Sequence, residues 1–474
     1  MSTVQTNTTT RPRTTWTLIL VSAALFMVTL DNLVVTTALP RIRIDLGASI
    51  SGLEWVVNAY TLSFAVLLLT GAALGDRFGR RRIMAIGLSV FTGASALAAL
   101  SPSAGMLIAA RAIQGAGAAM VLPLTLTILS EAFPAGRRGL ALGIWSGVSG
   151  LGVALGPVVG GAVVSGISWQ WIFWLNVPIG LVVIPLALAR LTESRGANRA
   201  LDLRGVALAS GGLLGVVYAL VRGNALGWTS TTVLGSALAG ALMLGGFVAW
   251  ERRASTPMLP MRFFRSRAFS ATNGVSLAMY FGMFGAIFLL AQFFQTAQGY
   301  TPLQAGLRTL PWTAMPMFVA PIAGLLSDRI GGRPLMFTGL ALQATALGWL
   351  ATELSATLSY DRMIVPFMMA GAGMALVFAP AANAVLGSVR EHEAGQASGA
   401  TNAIREVGGV MGVSVLASVF SGAGGYATPS TFVSGLIPAV AVAAAVLGLG
   451  AIVALAIPAL RRTSVAAAEV PVPA

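Results

Sequence analysis

"GAALGDRFGRRRIM" (71–84) sets one acid, Asp76, and four arginines, Arg77, Arg80, Arg81 and Arg82, into seven residues between two long apolar runs. A weaker copy, "GLLSDRIGGRPLM", stands at 324–336, its Asp328 lying 252 residues after Asp76. Other features repeat in a similar register. "QGAGAAMVLP" (114–123) resembles "AGAGMALVFAP" (370–380), and Gly139, Gly143, Gly152 and Gly156 align with Gly395, Gly399, Gly408 and Gly412, each pair 256 residues apart. A charged hinge used twice, at one spacing shared with other segments, marks an internal duplication.

The surroundings of the hinge define the class. Of 474 residues, 56% are hydrophobic and 9% charged, with a mean hydropathy of +0.83. Soluble domains carry about 25% charged residues, so this is an all-α integral membrane protein. The net charge of +14 does not indicate nucleic acid, because the arginines are scattered between apolar segments. There is no cysteine, which excludes thiol chemistry and zinc–thiolate sites, and no lysine, which excludes a Walker A phosphate loop. The Ala/Gly/Arg-rich composition points to a high-GC bacterium. The first apolar run, 16–39, is too long for a signal-peptide core and reads as a retained helix.

A bilayer core of about 30 Å takes about 20 apolar helical residues. Fourteen runs qualify: 16–39, 52–73, 82–101, 105–128, 138–164, 169–190, 203–221, 231–250, 268–296, 302–326, 334–352, 362–387, 396–421 and 432–460. With the N-terminus inside, 22 of the 29 basic residues fall in cytoplasmic segments and five outside. That bias predicts both termini in the cytoplasm and both charged hinges on the cytoplasmic face. Eight spans separate the two copies, so the halves enter the membrane with the same sense. The organisation expected is a cytoplasmic tail (1–15), a six-helix half (16–190), a linker with two inserted helices (191–267), a second six-helix half (268–460) and a C-terminal tail (461–474). Parallel halves about an axis along the membrane normal are a transporter architecture.

Four motifs resemble one family. "AALGDRFGRR" (72–81) is similar to the major facilitator superfamily hinge between spans two and three, with Ala72 in place of its first glycine. "LDNLVVTTALP" (30–40) resembles the first-span motif of the 14-helix drug:proton antiporter branch, with Leu33 and Thr37 replacing a Thr and an Asn. Arg111 in "RAIQGAGAAMVLP" matches the fourth-span motif, and "GVALGPVVGG" (152–161) matches the antiporter motif at every fixed position. The resemblance covers nearly the whole chain. It implies proton-driven export of small drugs or antibiotics, with no cofactor beyond the proton gradient, in the inner membrane.

The residues themselves suggest roles. Asp76, Arg77, Gly79 and Arg80, with Asp328 and Arg329 in the second copy, form a charged latch that holds one conformation and releases in another. Asp31 is an acid within a span, a functional candidate by default. At 1.5 Å per residue it lies about 12 Å deep and Arg111 about 9 Å deep; since the resemblance implies that spans one and four both line the cavity, the two are expected to meet and to couple proton binding to movement. Glu406, beside Arg405 near the middle of span thirteen, is a second proton or cation candidate. Glu54, at the outer start of span two, is expected at the interface, close to the cavity mouth. Gly152, Gly156 and Gly160 recur every four residues, a surface that lets helices approach closely, and the resemblance implies that with Pro157 and Gly161 they form a seal between the halves. Asn58, Gln292, Gln295 and Asn402, with Asp31, are candidates for the substrate cavity. His392 reads as a solvated loop residue, and 257–269 as an interfacial segment.

The reading that fits best is a proton-coupled antiporter exporting lipophilic or amphipathic drugs. Its expected partners are the small-molecule substrate, protons and the lipid bilayer; it binds no nucleic acid, holds no metal and works as a monomer. A dedicated exporter of one host-made antibiotic is the alternative. A membrane enzyme would need a cluster of His, Cys or carboxylates, and a sensor would need a soluble signalling domain; the sequence offers neither.

Overall fold

The computed structural model describes residues 11–196, 202–255, 257, 259–390 and 393–459. Among them, fourteen helices are long and apolar enough to cross a membrane. They are Thr14–Leu46, Ile50–Phe78, Arg80–Ala99, Ala104–Ala132, Gly147–Gly166, Trp171–Arg190, Leu203–Leu226, Thr231–Glu251, Arg267–Ala297, Pro302–Ser327, Gly332–Glu353, Asp361–Leu386, Gln396–Ala423 and Pro429–Ala454, spans one to fourteen below. The described residues contain no strand.

Short polar residues start many of these helices. Ser49, Ser103, Asp202, Ser230, Ser266, Thr301 and Thr428 each accept a bond from the first-turn backbone of the helix that follows, satisfying amides that would otherwise be unpaired. Apolar runs marked the spans but not their full lengths. The first helix continues through Pro40 to Leu46, because one proline removes a single ladder bond and does not stop a long helix. Span ten breaks at Ala314, between Pro311 and Pro316. Span six is a short turn, Trp171–Trp174, followed by Asn176–Arg190, and span nine ends in a π-turn at Phe293–Ala297.

The duplication is visible in helix contacts. A side chain at Gly115 of span four would meet the Tyr60 carbonyl of span two, and one at Gly371 of span twelve would meet the Trp312 carbonyl of span ten. Gly117 lies against Gly87 and Phe91 of span three, and Gly373 against Gly339 and Gln343 of span eleven. Gly152 and Gly156 lie against Thr29 and Leu33 of span one, and Gly408 and Gly412 against Leu277 and Phe281 of span nine. These contacts fix the register between halves: 248 residues for spans one and nine, 252 for two and ten and for three and eleven, and 256 for four and twelve and for five and thirteen.

The halves meet along two seams, span two against thirteen and span five against ten. Taking the arginine-rich ends as cytoplasmic, the largest buried cluster runs through the depth of the C-terminal half, from Met336 and Ile457 outward, and joins the N-terminal half at its outer side, where Leu39, Ile42 and Trp169 belong to the same cluster as Phe293, Phe420 and Phe432. The molecule is therefore closed on its outer side. Spans seven and eight form a hairpin outside the two bundles. Span seven rests on spans two and thirteen, with Val217 and Val221 against Leu62, Val66 and Val410, and Asn224 donating to Ser421 Oγ at 2.9 Å.

Candidate functional site

The centre of the N-terminal half is a dry polar network drawn from five helices. Asp31 on span one is fully buried, and Arg111 on span four is 1% exposed. The carboxylate accepts from Arg111 Nη1 at 2.6 Å, Gln114 Nε2 at 2.9 Å and Asn176 Nδ2 at 2.7 Å. Arg111 also donates to Gln114 Oε1 at 2.7 Å and to the Val56 carbonyl of span two at 3.3 Å. Its guanidinium carbon lies 4.2 Å from the Tyr60 ring centroid. Asn176, at the start of the main helix of span six, further donates to Ser95 Oγ of span three at 3.0 Å, and Ser95 donates to the Phe173 carbonyl at 2.8 Å.

The expected meeting of Asp31 and Arg111 is thus present, and the Asp31 carboxylate accepts three short, charge-assisted bonds. Gln114, Asn176, Ser95 and Tyr60 are members that sequence reasoning missed. Gln114 had a signal, standing three residues after Arg111 on the same helical face.

The cytoplasmic hinge closes on itself through a second set of charges. Arg80 donates to Asp76 Oδ1 at 2.8 Å through Nε and pairs also with Glu131 at the end of span four. Gly79 turns the chain with φ +108°, a conformation side chains rarely adopt. Glu193, just after span six, accepts from the Arg81 and Arg82 amides at 3.0 and 3.3 Å and so caps span three. Gly196 donates its amide to the Asp76 carbonyl at 3.1 Å. Neither Glu131 nor Glu193 was marked by the sequence, since both lie far from the motif. Arg77 is exposed, with its guanidinium over Phe78. In the second copy Gly331 makes the same turn with φ +83° and Arg329 is exposed, whereas the Asp328 side chain lies outside the description, as does His392.

The structure corrects three sequence expectations. Gly152, Gly156 and Gly160 do not face the other half: they lie against Thr29, Leu33, Val34 and Thr37 of span one, and a Cβ at Gly156 would stand 2.8 Å from that of Leu33. Only the adjoining face crosses the seam, where Gly161 meets Pro302 and Leu303, and Gly306 meets Pro157. Second, three of the cavity candidates are hydrogen-bonded in this state, the first two across the halves and the third within the C-terminal half. Asn58 donates to Ser414 Oγ at 2.8 Å, Gln295 donates to the Thr37 carbonyl at 2.9 Å, and Gln292 accepts from the Tyr426 hydroxyl. Third, Glu54 is not interfacial; it is 2% exposed.

The C-terminal half holds a looser polar group. Glu406 is buried, and its Oε2 has no partner among the described residues. Arg405 contacts Asn402 Oδ1 at 3.4 Å and lies 5.9 and 5.6 Å from the rings of Tyr280 and Phe378. Tyr60, whose hydroxyl is also unpartnered, stands within electrostatic reach of both Asp31 and Glu406. No group of three or more His, Cys, Asp or Glu side chains among the described residues is arranged to hold a metal.

Two parallel halves of six spans each, a motif-bearing hinge in each and a buried acid–arginine pair agree with one lineage, and the profile of the Major Facilitator Superfamily matches residues 21–413. The chain belongs to the Major Facilitator Superfamily. It is 34% identical over 427 residues to the tetracenomycin C resistance and export protein of Streptomyces glaucescens, covering 90% of this chain and 79% of that one. It is 37% identical to the multidrug resistance protein Stp of Mycobacterium tuberculosis, covering 85% and 75%, and 35% identical to the puromycin resistance protein pur8 of Streptomyces alboniger, covering 87% and 83%. Among solved structures, a bacterial homologue of the lysosomal transporter Spinster, inward-facing and unoccupied, shares the fold with a TM-score of 0.66 at 16% identity, covering 94% of this chain and 97% of that one. The peptide transporter POT in complex with sulfate superposes with a TM-score of 0.69 at 14% identity, covering 93% and 94%. Fourteen spans and this kinship make the protein a multi-pass protein of the inner membrane.

Proposed function

We propose that the protein is a proton-coupled antiporter that exports small lipophilic or amphipathic drugs or antibiotics from the cytoplasm. The observation that carries this is the buried Asp31–Arg111 pair, enclosed by one half and adjacent to the seams between halves. A buried ion pair is a poor stabiliser compared with apolar side chains of similar size, so its place at the centre of a superfamily transporter argues for a task. When substrate or domain movement draws Arg111 off Asp31, the carboxylate takes a proton; when the pair re-forms, the proton leaves. The gradient then supplies the energy, with no cofactor and no ATP site. Both termini face the cytoplasm in this reading, and one chain is the working unit.

The relatives named for tetracenomycin, puromycin and methylenomycin resistance support a second reading, a dedicated exporter of a single antibiotic. One experiment addresses both. Everted vesicles carrying the protein are loaded with a proton gradient and challenged with a panel of dyes, quaternary ammonium compounds and antibiotics. The proposed function expects proton release from the lumen with several members of the panel, and the second reading with one. Transport that survives a protonophore but stops when ATP is removed overturns both.

A further inference from the structure

Glu54 lies in the second turn of span two, 2% exposed, with Oε2 lacking any partner among the described residues. It sits where the two halves close on the outer side. Arg43, near the end of span one, places its guanidinium carbon 4.1 Å from the ring centroid of Tyr426, in the loop after span thirteen. That loop belongs to the other half, and the Tyr426 hydroxyl donates to Gln292 of span nine. Tyr426 is further wedged against Phe420 and Phe432, at 5.4 and 5.3 Å between centroids. Burial pushes its phenol well above the usual range; Arg43 opposes that and Glu54 adds to it, so Tyr426 feels both groups. A C-terminal-half aromatic ring therefore holds an N-terminal-half arginine by its π face, while an acid of the arginine's own half is left dry.

An ionised carboxylate with an unpartnered oxygen in apolar surroundings is expensive, and a neutral carboxyl is not. Among the described residues Arg43 has no carboxylate partner within 4.0 Å, whereas its neighbour Arg41 pairs with Asp45 at 3.1 Å. The other charged or titratable groups on the elements around this corner are few. Span seven carries Tyr218 and Arg222 on its outer half, span four carries Arg111 bound to Asp31, and the outer halves of spans three, nine, thirteen and fourteen carry none. Arg43 is thus the one uncommitted cation of the outer closure on the same half as Glu54.

We propose that Glu54 is a proton-binding site of the outer gate, holding a proton while Tyr426 keeps Arg43 and releasing it to the outside water when the gate opens and Arg43 turns to the carboxylate. The O–H bond of the carboxyl breaks, the proton passes to external water, and the anion gains the guanidinium that the departing ring gives up. Outside acid then favours the shut gate. The role in coupling rests on the antiport reading; the gate itself does not.

The chain has no cysteine, so a pair of spin labels reports cleanly. Labels at Ile44→Cys and Ser430→Cys flank the outer closure from opposite halves, both at exposed positions. Electron–electron distance distributions are recorded in lipid nanodiscs, without substrate, from about pH 5.5 to about pH 8.5. In the otherwise unchanged protein the short-distance, shut population is expected to give way to the long-distance one as pH rises, by up to about tenfold per pH unit. Glu54→Gln should stay shut throughout, and Glu54→Asp should keep the response. Arg43→Gln, with Glu54 intact, should also stay shut, and it serves as the deciding variant if Glu54→Gln does not fold. A Glu54→Gln or Arg43→Gln protein that opens with pH as the parent does overturns the proposal. A pH-locked Glu54→Gln gate in a protein that exports nothing in vesicles would leave this site standing and remove the antiport reading instead.

Discussion

Tyr60 and Trp312 occupy the same place in the two halves, and so do Arg111 and Phe367, as the glycine contacts at Gly115 and Gly371 fix. In the same register Asp31 corresponds to Met279, Ser95 to Leu347 and Gln114 to Ala370. The helices approach each other through matching small residues, yet one half fills the space with a saturated ion pair and the other with apolar side chains. Trp312 and Phe367 pack as a tilted pair at 5.8 Å between centroids where Tyr60 covers Arg111, and Met279, Leu347 and Ala370 are all buried in the large core. At these matched positions the C-terminal half closes without charge, its half-buried Arg405 and buried Glu406 lying elsewhere on span thirteen. The Asp31–Arg111 network is therefore not required by the helix packing at these positions, and the difference places the saturated acid–arginine pair in one half and apolar contact at the same place in the other.

The most direct way to break this comparison is at Asp31. Asp31→Asn should abolish gradient-driven export, and it should destabilise the protein by about 3–5 kcal/mol because Arg111 is left buried without its counter-charge. Grafting the other half's solution, Asp31→Met with Arg111→Phe and Gln114→Ala, should restore the membrane level but not export. Western blots of membranes beside vesicle efflux read both quantities, and export by the triple variant would show that the network does not couple transport. On the apolar side, Phe367→Ala should cost about 3–5 kcal/mol of stability through the cavity it leaves, seen as a lower melting temperature in detergent, with proton release per exported molecule unchanged.

Smaller effects should separate the two faces of span five. Gly161→Leu intrudes on the backbone of Pro302 and Leu303 across the seam, and overpacking of about 1–3 kcal/mol there should shift the balance of conformations at normal protein level. Gly156→Leu collides with Leu33 inside one half, so melting temperature should fall before conformational balance changes. The reverse pattern would return the seam to Gly156. Least of all, Asn58→Ala removes one clasp to Ser414, worth about 1 kcal/mol or roughly a fivefold shift towards the outward-open state, measurable with the same pair of spin labels.

Fourteen spans, the duplication and the hinge could be read from sequence because each rests on local pattern: apolar length, spacing of repeats, and charge beside a glycine. The Asp31–Arg111 contact was legible from matching depth together with the resembled fold, which brings spans one and four to the same cavity. What was not legible depended on which helix faces which. A glycine every fourth residue announces close approach but not the neighbour, so Gly156 was given to the wrong partner. Glu193 caps span three from more than a hundred residues away, and Asn176 reaches Asp31 only because span six begins with a separate turn. Glu54 was read as interfacial because the end of an apolar run does not show that another half covers it.

The hairpin of spans seven and eight touches both halves, but on one flank only, over spans two and thirteen. A molecule dissolved in the bilayer meets a wall there. On the opposite flank the junction of spans five and ten has no such cover, and Leu307, Phe318 and Ile322 of span ten present apolar surface outward. The transporter consequently has a front and a back with respect to the lipid around it. Compounds that arrive sideways rather than from the cytoplasm have one approach, and a photoreactive lipophilic probe should mark spans five and ten and spare the covered faces of spans two and thirteen; equal marking of both flanks would show that the hairpin bars nothing.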